Sequence, residues 1–294
     1  MELRVLQYFL AVARENSISG AAEFLHLSQP TLSRQLKELE EELGKQLFIR
    51  GNRRITLTEE GMILRKRAEE VVELIQKTEE EIAASDDMLA GDISIGAGET
   101  DGNRFLIKAM NAIQQDYPLV HFHIISGDKT MITEAIDRGT IDFGIVFGNT
   151  DSAKYDSMPI PYEDTWGVLM RRDAPLAKKD YITAEDLLDQ PLIISRQAFL
   201  NLEFKNFFHV EQEKLNIVAT YSLLFNGSLM VEEGLGYAIC FDKLINVSGD
   251  SNLCFRPLTP KLESHMSIIW KKYQVFSKPT QKFLQKLQDM DACK

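Results

Sequence analysis

The chain has 294 residues, 44% of them apolar and 26% charged, which suits two or three globular units and excludes a disordered or fibrous chain. It contains no run of eighteen apolar residues, so no helical membrane span is expected. The formal net charge of −11 argues against indiscriminate binding to nucleic acid, and any DNA contact must come from locally concentrated positive charge.

The first predicted element covers residues 5–13, VLQYFLAVA. It has the apolar core of a signal peptide ending in Ala-Val-Ala, but Glu2 offsets Arg4 and Gln7 interrupts the run. Leu6, Phe9, Leu10 and Ala13 fit one helical face, so a packing helix in a cytoplasmic protein is expected. Cys240, Cys254 and Cys293 show no CxxC spacing and suit a reducing compartment. Buried thiols are the default for such a set, with a redox pair of Cys240 and Cys254 as the alternative.

Residues 17–42, SISGAAEFLHLSQPTLSRQLKELEEE, predict two helices joined by a tight turn. In the second, Leu32, Leu36, Leu39 and Leu43 fall on one stripe, with Pro30, Ser33, Arg34 and Lys37 opposite. Ser28 sits at the N-cap position and Pro30 in the first turn, where a missing N–H costs nothing. The helix therefore begins with free N–H groups, Gln29 and a small, partly cationic outer face, as a helix entering a major groove N-terminus first requires. An ordinary amphipathic hairpin is the competing reading. In the preceding helix, Ala21 and Ala22 allow a close crossing.

Residues 43–58 carry Lys45, Arg50, Arg53 and Arg54 without one acid. Residues 47–57 predict a short β-hairpin turning at Gly51-Asn52. Directly after a recognition helix, a tip with three arginines reads as a wing reaching phosphate or minor groove, rather than as a merely solvated hairpin.

Ala21-Ala22, Leu25, Ser28-Gln29-Pro30, Ser33-Arg34, Leu39-Glu40, Leu43-Gly44, Leu47-Phe48, Arg50, Leu57-Thr58 and Gly61 together form a pattern that resembles the N-terminal signature of the LysR-type transcriptional regulators. The resemblance implies a winged helix-turn-helix in which Gln29, Pro30, Ser33, Arg34 and Arg53 face DNA. Thr31, Lys37, Arg50 and Arg54 complete the expected DNA-binding set. Two residues depart from the pattern. Ile18 replaces the usual aromatic or Leu, and Gly20 sits inside the second helix, at a cost of about 0.5–1 kcal/mol relative to Ala.

Thr58 is placed to cap a long helix with Glu59 and Glu60 in its first turn. Leu64, Ala68, Val71, Ile75, Thr78 and Ile82 form a heptad seam, ended by residues 86–91. The residues alone allow a helix lying on its own domain; the resemblance implies a linker that pairs two chains.

Beyond Gly91, strands at residues 93–95, 120–125 and 141–147 alternate with helices at 104–115 and 129–138, an order that implies a parallel sheet. Residues 96–102, GAGETDG, fail as a dinucleotide fingerprint because Asp101 occupies the third glycine position and two acids lie where pyrophosphate would bind. The chain is expected to cross into a second lobe around residues 159–165. Residues 173–177, Asp186-Leu187, residues 191–194 and residues 233–238 resemble the middle of the LysR-type effector domain. Residues 267–270 should return to the first lobe, and residues 283–287 should form its closing helix.

The fold class expected is thus α/β with an N-terminal winged helix-turn-helix, a long linker helix and a two-lobed effector domain of the periplasmic-binding-protein type. The expected boundaries are 1–58, 59–90 and 91–294, the last divided into lobe I (91–161 and 266–294) and lobe II (162–265). Carboxyl ends of parallel strands are where open α/β sheets place ligands. They nominate Glu99, Thr100, Ser126, Gly127, Phe147, Gly148, Ser195, Arg196, Phe225 and Asn226, with the hydroxyls of Thr100 and Ser195 coming from opposite lobes, as a closing cleft requires. Arg196 suits a carboxylate, whereas Glu99 opposes an anion if it points inward, and the sequence leaves this open.

Neither a catalytic set nor a metal set emerges. The five histidines are scattered, and His121 and His123 share a strand face without an HExxH or a carboxylate companion. No GxSxG or P-loop occurs. A solute-binding transport component and an enzyme on the same scaffold are the rival readings, opposed by the wing and by the missing catalytic residues. The expected function is sequence-specific transcriptional regulation by a homodimer or homotetramer, without cofactor or membrane. Its expected partners are an imperfect inverted repeat of double-stranded DNA, a small-molecule effector between the lobes, and RNA polymerase.

Overall fold

The computed structural model describes residues 1–51, 55–83, 89–196, 198, 202–208 and 212–292. The chain divides into two compact units, Met1–Ala84 and Ser85–Lys294.

In the first unit, α1 (Leu3–Glu15) buries Leu6, Phe9, Ala11 and Val12, leaving Leu10 and Ala13 half-buried at the flank of that face. α2 (Ile18–Phe24) starts where Ser17 Oγ accepts the Gly20 N–H at 3.2 Å, and it buries Ala21 and Ala22. The turn that follows places His26 at φ +53°, a left-handed conformation. α3 (Gln29–Leu43) buries Leu32, Leu36 and Leu39. Leu43 instead stays 40% exposed, because Gly44 at φ +64° ends the helix there and no further turn covers it.

β1 (Phe48–Arg50) and β2 (Ile55–Leu57) pair antiparallel, Phe48 opposite Leu57. Glu40 of α3 accepts the Leu47 and Phe48 N–H groups at 2.7 and 3.1 Å, fixing this hairpin to the helix before it. α4 (Glu59–Ala83) starts at Thr58, whose Oγ1 accepts the Gly61 N–H at 3.0 Å and donates to the Gln46 carbonyl at 2.7 Å. A Cβ at Gly61 would stand 2.2 Å from the Leu47 carbonyl oxygen, so only glycine lets the helix pass the hairpin backbone. Along the anticipated seam, Ala68 is buried and Leu64 half-buried in this unit's own core, Ile75 is half-buried, and Val71 and Thr78 are exposed. The side chain of Ile82 lies outside the described residues.

The second unit opens with β3 (Gly91–Ala97), α5 (Asn103–Asp116), β4 (Val120–Ser126), α6 (Lys129–Arg138) and β5 (Phe143–Phe147). β3 pairs in parallel with both β4 and β5, as the βαβαβ order requires. β6 (Tyr155–Arg171) is a single strand of 17 residues. After it come β7 (Leu192–Ser195), α7 (Leu202–Phe208), β8 (Ile217–Tyr221), α8 (Leu224–Glu232), β9 (Tyr237–Phe241), β10 (Leu253–Pro257), β11 (Glu263–Lys271) and α9 (Lys278–Ala292). β7 runs parallel to its neighbours β8 and β9, while β6 is antiparallel to β9, β10 and β11.

These pairings define two lobes. In lobe I, β3, β4 and β5 are joined by β11; in lobe II, β7 to β10 gather on the far half of β6. The crossing between them is the β6–β11 pair. Ser157–Pro159 pairs with Ser267–Ile269, and Glu163–Thr165 with Glu263–His265, with a register break in between. Both strands therefore serve both lobes, and the anticipated boundaries at 161/162 and 265/266 fall inside them.

Each lobe buries both faces of its sheet. In lobe I, Ile93, Ile95, Phe143, Phe283 and Leu287 pack beneath α5 and α9, and Ile132, Ile136, Val146 and Ile269 pack beneath α6. In lobe II the strands alternate: Val168, Met170 and Ile194 face one way with Phe204, and Leu169, Ile193 and Cys240 the other with Leu224 and Val231 of α8. Cys240 and Cys254 sit on β9 and β10, on opposite sides of β6. Two strand spacings, about 10 Å, separate them, too far for a disulfide. Burial pushes both thiols above their usual pKa, which suits inert core residues.

Candidate functional site

The first candidate surface is the N-terminal half of α3. Ser28 Oγ accepts the Thr31 N–H at 3.3 Å, so the helix starts with a satisfied cap and Pro30 in its first turn. Gln29, Pro30, Thr31, Arg34 and Lys37 are exposed, and Ser33 is half-buried. Arg34 pairs with Glu38 at 3.7 Å and Lys37 with Glu41 at 3.4 Å, both i,i+4 and largely in solvent. Such pairs are worth only a few tenths of a kcal/mol, which phosphate readily outbids. The other half carries Glu38, Glu40, Glu41 and Glu42, so the helix is cationic at its start and acidic at its end. A phosphate backbone is attracted to the first two turns and repelled beyond them. Arg50 lies in β1 with its side chain outside the described residues, and Arg53 and Arg54 also lie outside them.

The second candidate is a cavity of about 670 Å³ inside the second unit, within the size range of small-molecule sites. Its walls come from strand carboxyl ends in both lobes: Gly98 and Glu99 after β3, Phe147 to Asn149 at β5, Ser195 of β7, and Tyr221 and Ser222 at β8. Trp166 of β6 and Ser264, His265 and Ser267 of β11 form the wall at the crossing. The Phe147 and Phe241 rings lie 5.0 Å apart, and Phe241 and Trp166 4.3 Å apart, giving a continuous aromatic wall. Trp166 Nε1 donates to Ser264 Oγ at 2.9 Å, and Tyr221 OH donates to the Ile239 carbonyl at 2.8 Å, which satisfies the polar ends of both buried rings.

Two helices begin at the cavity wall. Asp128 Oδ1 accepts the Met131 N–H at 2.8 Å as the N-cap of α6. Glu99 reaches from lobe I to lobe II, where its Oε2 accepts the Leu224 N–H at the first residue of α8. Lys129 Nζ donates to the carbonyls of Phe147, at 3.5 Å, and of Asn149, tying the loop after β5 to α6.

Of the ten residues nominated from the sequence, Glu99, Phe147, Gly148 and Ser195 line this cavity, and the other six lie off its walls. Thr100 does not line the cavity with Ser195: it is buried, donating to Asp164 Oδ2 while accepting the Gly102 N–H at 2.9 Å. Burial pushes Asp164 up to about 6, against the lowering effect of the Thr100 hydrogen bond. Nearby, Tyr162 OH donates to Asp101 at 2.7 Å and Lys243 Nζ donates to Tyr162 at 3.0 Å. Ser126 is exposed at the end of edge strand β4, Gly127 is half-buried beside it, and Arg196 points into solvent.

Phe225 and Asn226 are exposed residues of α8's first turn rather than of a loop before the helix. Asn226-Gly227 reads as a turn signal, yet a Cβ at Gly227 would lie 3.1 Å from the Tyr221 ring, and this close approach explains a glycine within the helix. Sequence reasoning missed Asp128, Lys129, Trp166, Tyr221, Ser222, Cys240, Phe241 and the β11 serines. Asp128 was legible as an N-cap; the strand-borne aromatics gave no signal apart from core.

His121 and His123 do have a carboxylate companion, since Asp92 on the adjacent strand lies 3.5 and 3.6 Å from them. Among the described residues, no group of three His, Cys, Asp or Glu side chains could hold a metal ion. No described helix is long and apolar enough to cross a membrane.

A helix-turn-helix with a wing, followed by a two-lobed domain enclosing a cavity, defines the class of regulators that couple a DNA-reading module to a small-molecule-binding one. Residues 3–62 match the model of the bacterial regulatory helix-turn-helix protein, lysR family, and residues 86–292 match the LysR substrate binding domain. The chain belongs to the LysR family, and it is a DNA-binding transcriptional regulator rather than an enzyme. It is similar to the HTH-type transcriptional regulator BsdA of Bacillus subtilis, with 28% identity over 97% of this chain and 99% of that one. It is also similar to the uncharacterized regulator YbhD of Escherichia coli, with 29% identity over 96% and 89%. Among solved structures, full-length CbnR complexed with its target DNA shares the fold at a TM-score of 0.77 and 20% identity, over 98% of this chain and 99% of that one. A full-length OxyR variant from Pseudomonas aeruginosa matches at a TM-score of 0.58 and 25% identity, over 98% and 99%.

Proposed function

We propose that the first two turns of α3 read the major groove of an imperfect inverted repeat, with Gln29, Pro30, Thr31, Ser33, Arg34 and Lys37 facing the duplex. In this reading Arg50, Arg53 and Arg54 of the wing contact backbone or minor groove. The observation that carries it is the division of α3: a capped, exposed, cationic start stands over a buried leucine stripe and precedes an acidic end. The cavity between the lobes takes a small-molecule effector, and the part of the α4 seam from Val71 onward pairs chains into a homodimer or homotetramer. Effector binding then alters how the paired modules hold promoter DNA and engage RNA polymerase in the cytoplasm. Residues 1–58, 59–90 and 91–294 serve as reading module, linker and sensor.

Operator binding by Arg34→Ala and Arg53→Ala across a salt titration tests the DNA face. Arg34→Ala should lose about 1–3 kcal/mol of specific binding, and Arg53→Ala should also flatten the salt dependence. Wild-type binding by both variants at every salt concentration would overturn this assignment.

A further inference from the structure

Helix N-termini at a cavity wall ordinarily invite an anion. Here α6 and α8 both start at the wall, and carboxylates of the chain already occupy both positions. Asp128 caps α6, and Glu99 spans the cleft to the Leu224 N–H of α8. The N-terminal charge of both helices is thus answered from within, and an incoming carboxylate would meet Glu99 and Asp128 where it seeks N–H donors.

Lys129 does not reverse this balance: its donors go to the Phe147 and Asn149 carbonyls, and its single charge stands against two carboxylates. Among the described residues the lining thus carries two acids, Glu99 and Asp128, and one lysine, with the His265 imidazole beside Glu163 at 3.4 Å. Among the described residues, Glu99 Oε1 has no hydrogen-bond partner, so one oxygen of the cross-lobe carboxylate is available to a donor. The rings of Phe147, Phe241 and Trp166 line the same cavity in mutual contact, and aromatic faces attract organic cations. Serine hydroxyls at Ser195, Ser222 and Ser267 supply neutral polar contacts from both lobes.

We propose that the effector is a small organic cation, an ammonium group carried on an apolar or aryl body. The body lies along the Phe147–Phe241–Trp166 wall and the ammonium binds the free oxygen of Glu99. Because Glu99 belongs to lobe I while its other oxygen holds α8 of lobe II, the cation adds a contact at the carboxylate that bridges the cleft. This inference rests on the cavity being the effector site.

The test uses full-length protein and four probes of similar shape: phenethylamine, phenethyltrimethylammonium, 2-phenylethanol and 3-phenylpropionate. Binding is followed by tryptophan fluorescence and calorimetry at millimolar concentration. The two ammonium probes should bind at least about tenfold more tightly than the alcohol and the carboxylate, the factor expected of one charge-assisted contact. Glu99→Gln retains an acceptor for the Leu224 N–H while removing the charge, and should erase that preference. Ser267→Trp, which fills the cavity, should abolish binding of every probe. Equal or reversed charge preference, an ammonium preference that survives Glu99→Gln, or no binding by any of the four overturns the ligand class. If a carboxylate binds and Ser267→Trp abolishes it, the cavity stands as the site and only the ligand class falls. If Ser267→Trp leaves probes bound, the site itself is misplaced.

Discussion

Asp164 stands at the crossing between the lobes, 2% exposed, with Thr100 donating to it and burial pushing it up to about 6. A carboxyl raised in the folded state keeps its proton there after the unfolded chain has lost it. Its contribution to stability is therefore complete below about pH 4, falls as the pH rises, and is lost above about pH 6. Two pKa units correspond to about 3 kcal/mol as an upper bound. Asp164→Asn preserves the hydrogen bond from Thr100 without the ionisation. Relative to the wild type it should gain stability between about pH 4 and pH 6 and keep the gain at neutrality. Urea unfolding of both proteins across that range checks this; a constant difference at every pH would show that Asp164 is not the group responsible. At Gly61 the constraint is steric: a methyl group 2.2 Å from the Leu47 carbonyl forces helix and hairpin apart. Gly61→Ala should cost about 1–3 kcal/mol in thermal unfolding.

At the scale of elements, the glycines of α2 and α4 carry opposite expectations. Gly20 lies in the first turn of α2, its N–H held by Ser17, and a Cβ there would meet nothing closer than 3.6 Å. The penalty anticipated for a glycine inside a helix thus falls where the cap already fixes the backbone. Gly20→Ala should raise stability by about 0.5–1 kcal/mol, and a lowered melting temperature would show that the site needs its bare backbone. In α4, Leu64 and Ala68 pack into their own unit, whereas Val71 is exposed along with Met62, Ile63 and Leu74. Replacing an exposed valine should leave the fold of one chain intact, so Val71→Glu isolates assembly from folding. Sedimentation should show a lower mass, with operator binding lost at dilute protein; an unchanged mass would place the pairing surface elsewhere. Elements with local signals were legible in the sequence: α6 runs over residues 129–138 as expected, between an aspartate cap and a left-handed Gly139. β6 was not: residues 159–165 read as a crossing between lobes, and that crossing is made inside one strand that continues through the register break opposite β11.

For the whole molecule, the legible part of the candidate site was the rule that parallel strands present ligands at their carboxyl ends. It led to Glu99, Phe147, Gly148 and Ser195 on the cavity wall, but not to the cross-lobe bond of Glu99, whose partner Leu224 is 125 residues away and leaves no mark in either segment. Thr100 lies off the cavity wall for the same reason, its partner Asp164 being 64 residues on. The β6–β11 crossing has a further consequence, for biosynthesis. Lobe I draws β11 and α9 from residues 263–292, while β7 to β10 of lobe II lie between its two parts. A ribosome therefore releases everything lobe II needs before lobe I can close. During that interval the Phe143 surface awaits Phe283, and β5 presents an unpaired edge where β11 will dock. The nascent chain is most exposed to misassociation after residue 257 has emerged and before residues 263–292 follow, and those residues, rather than the DNA-reading start, decide whether the sensor matures.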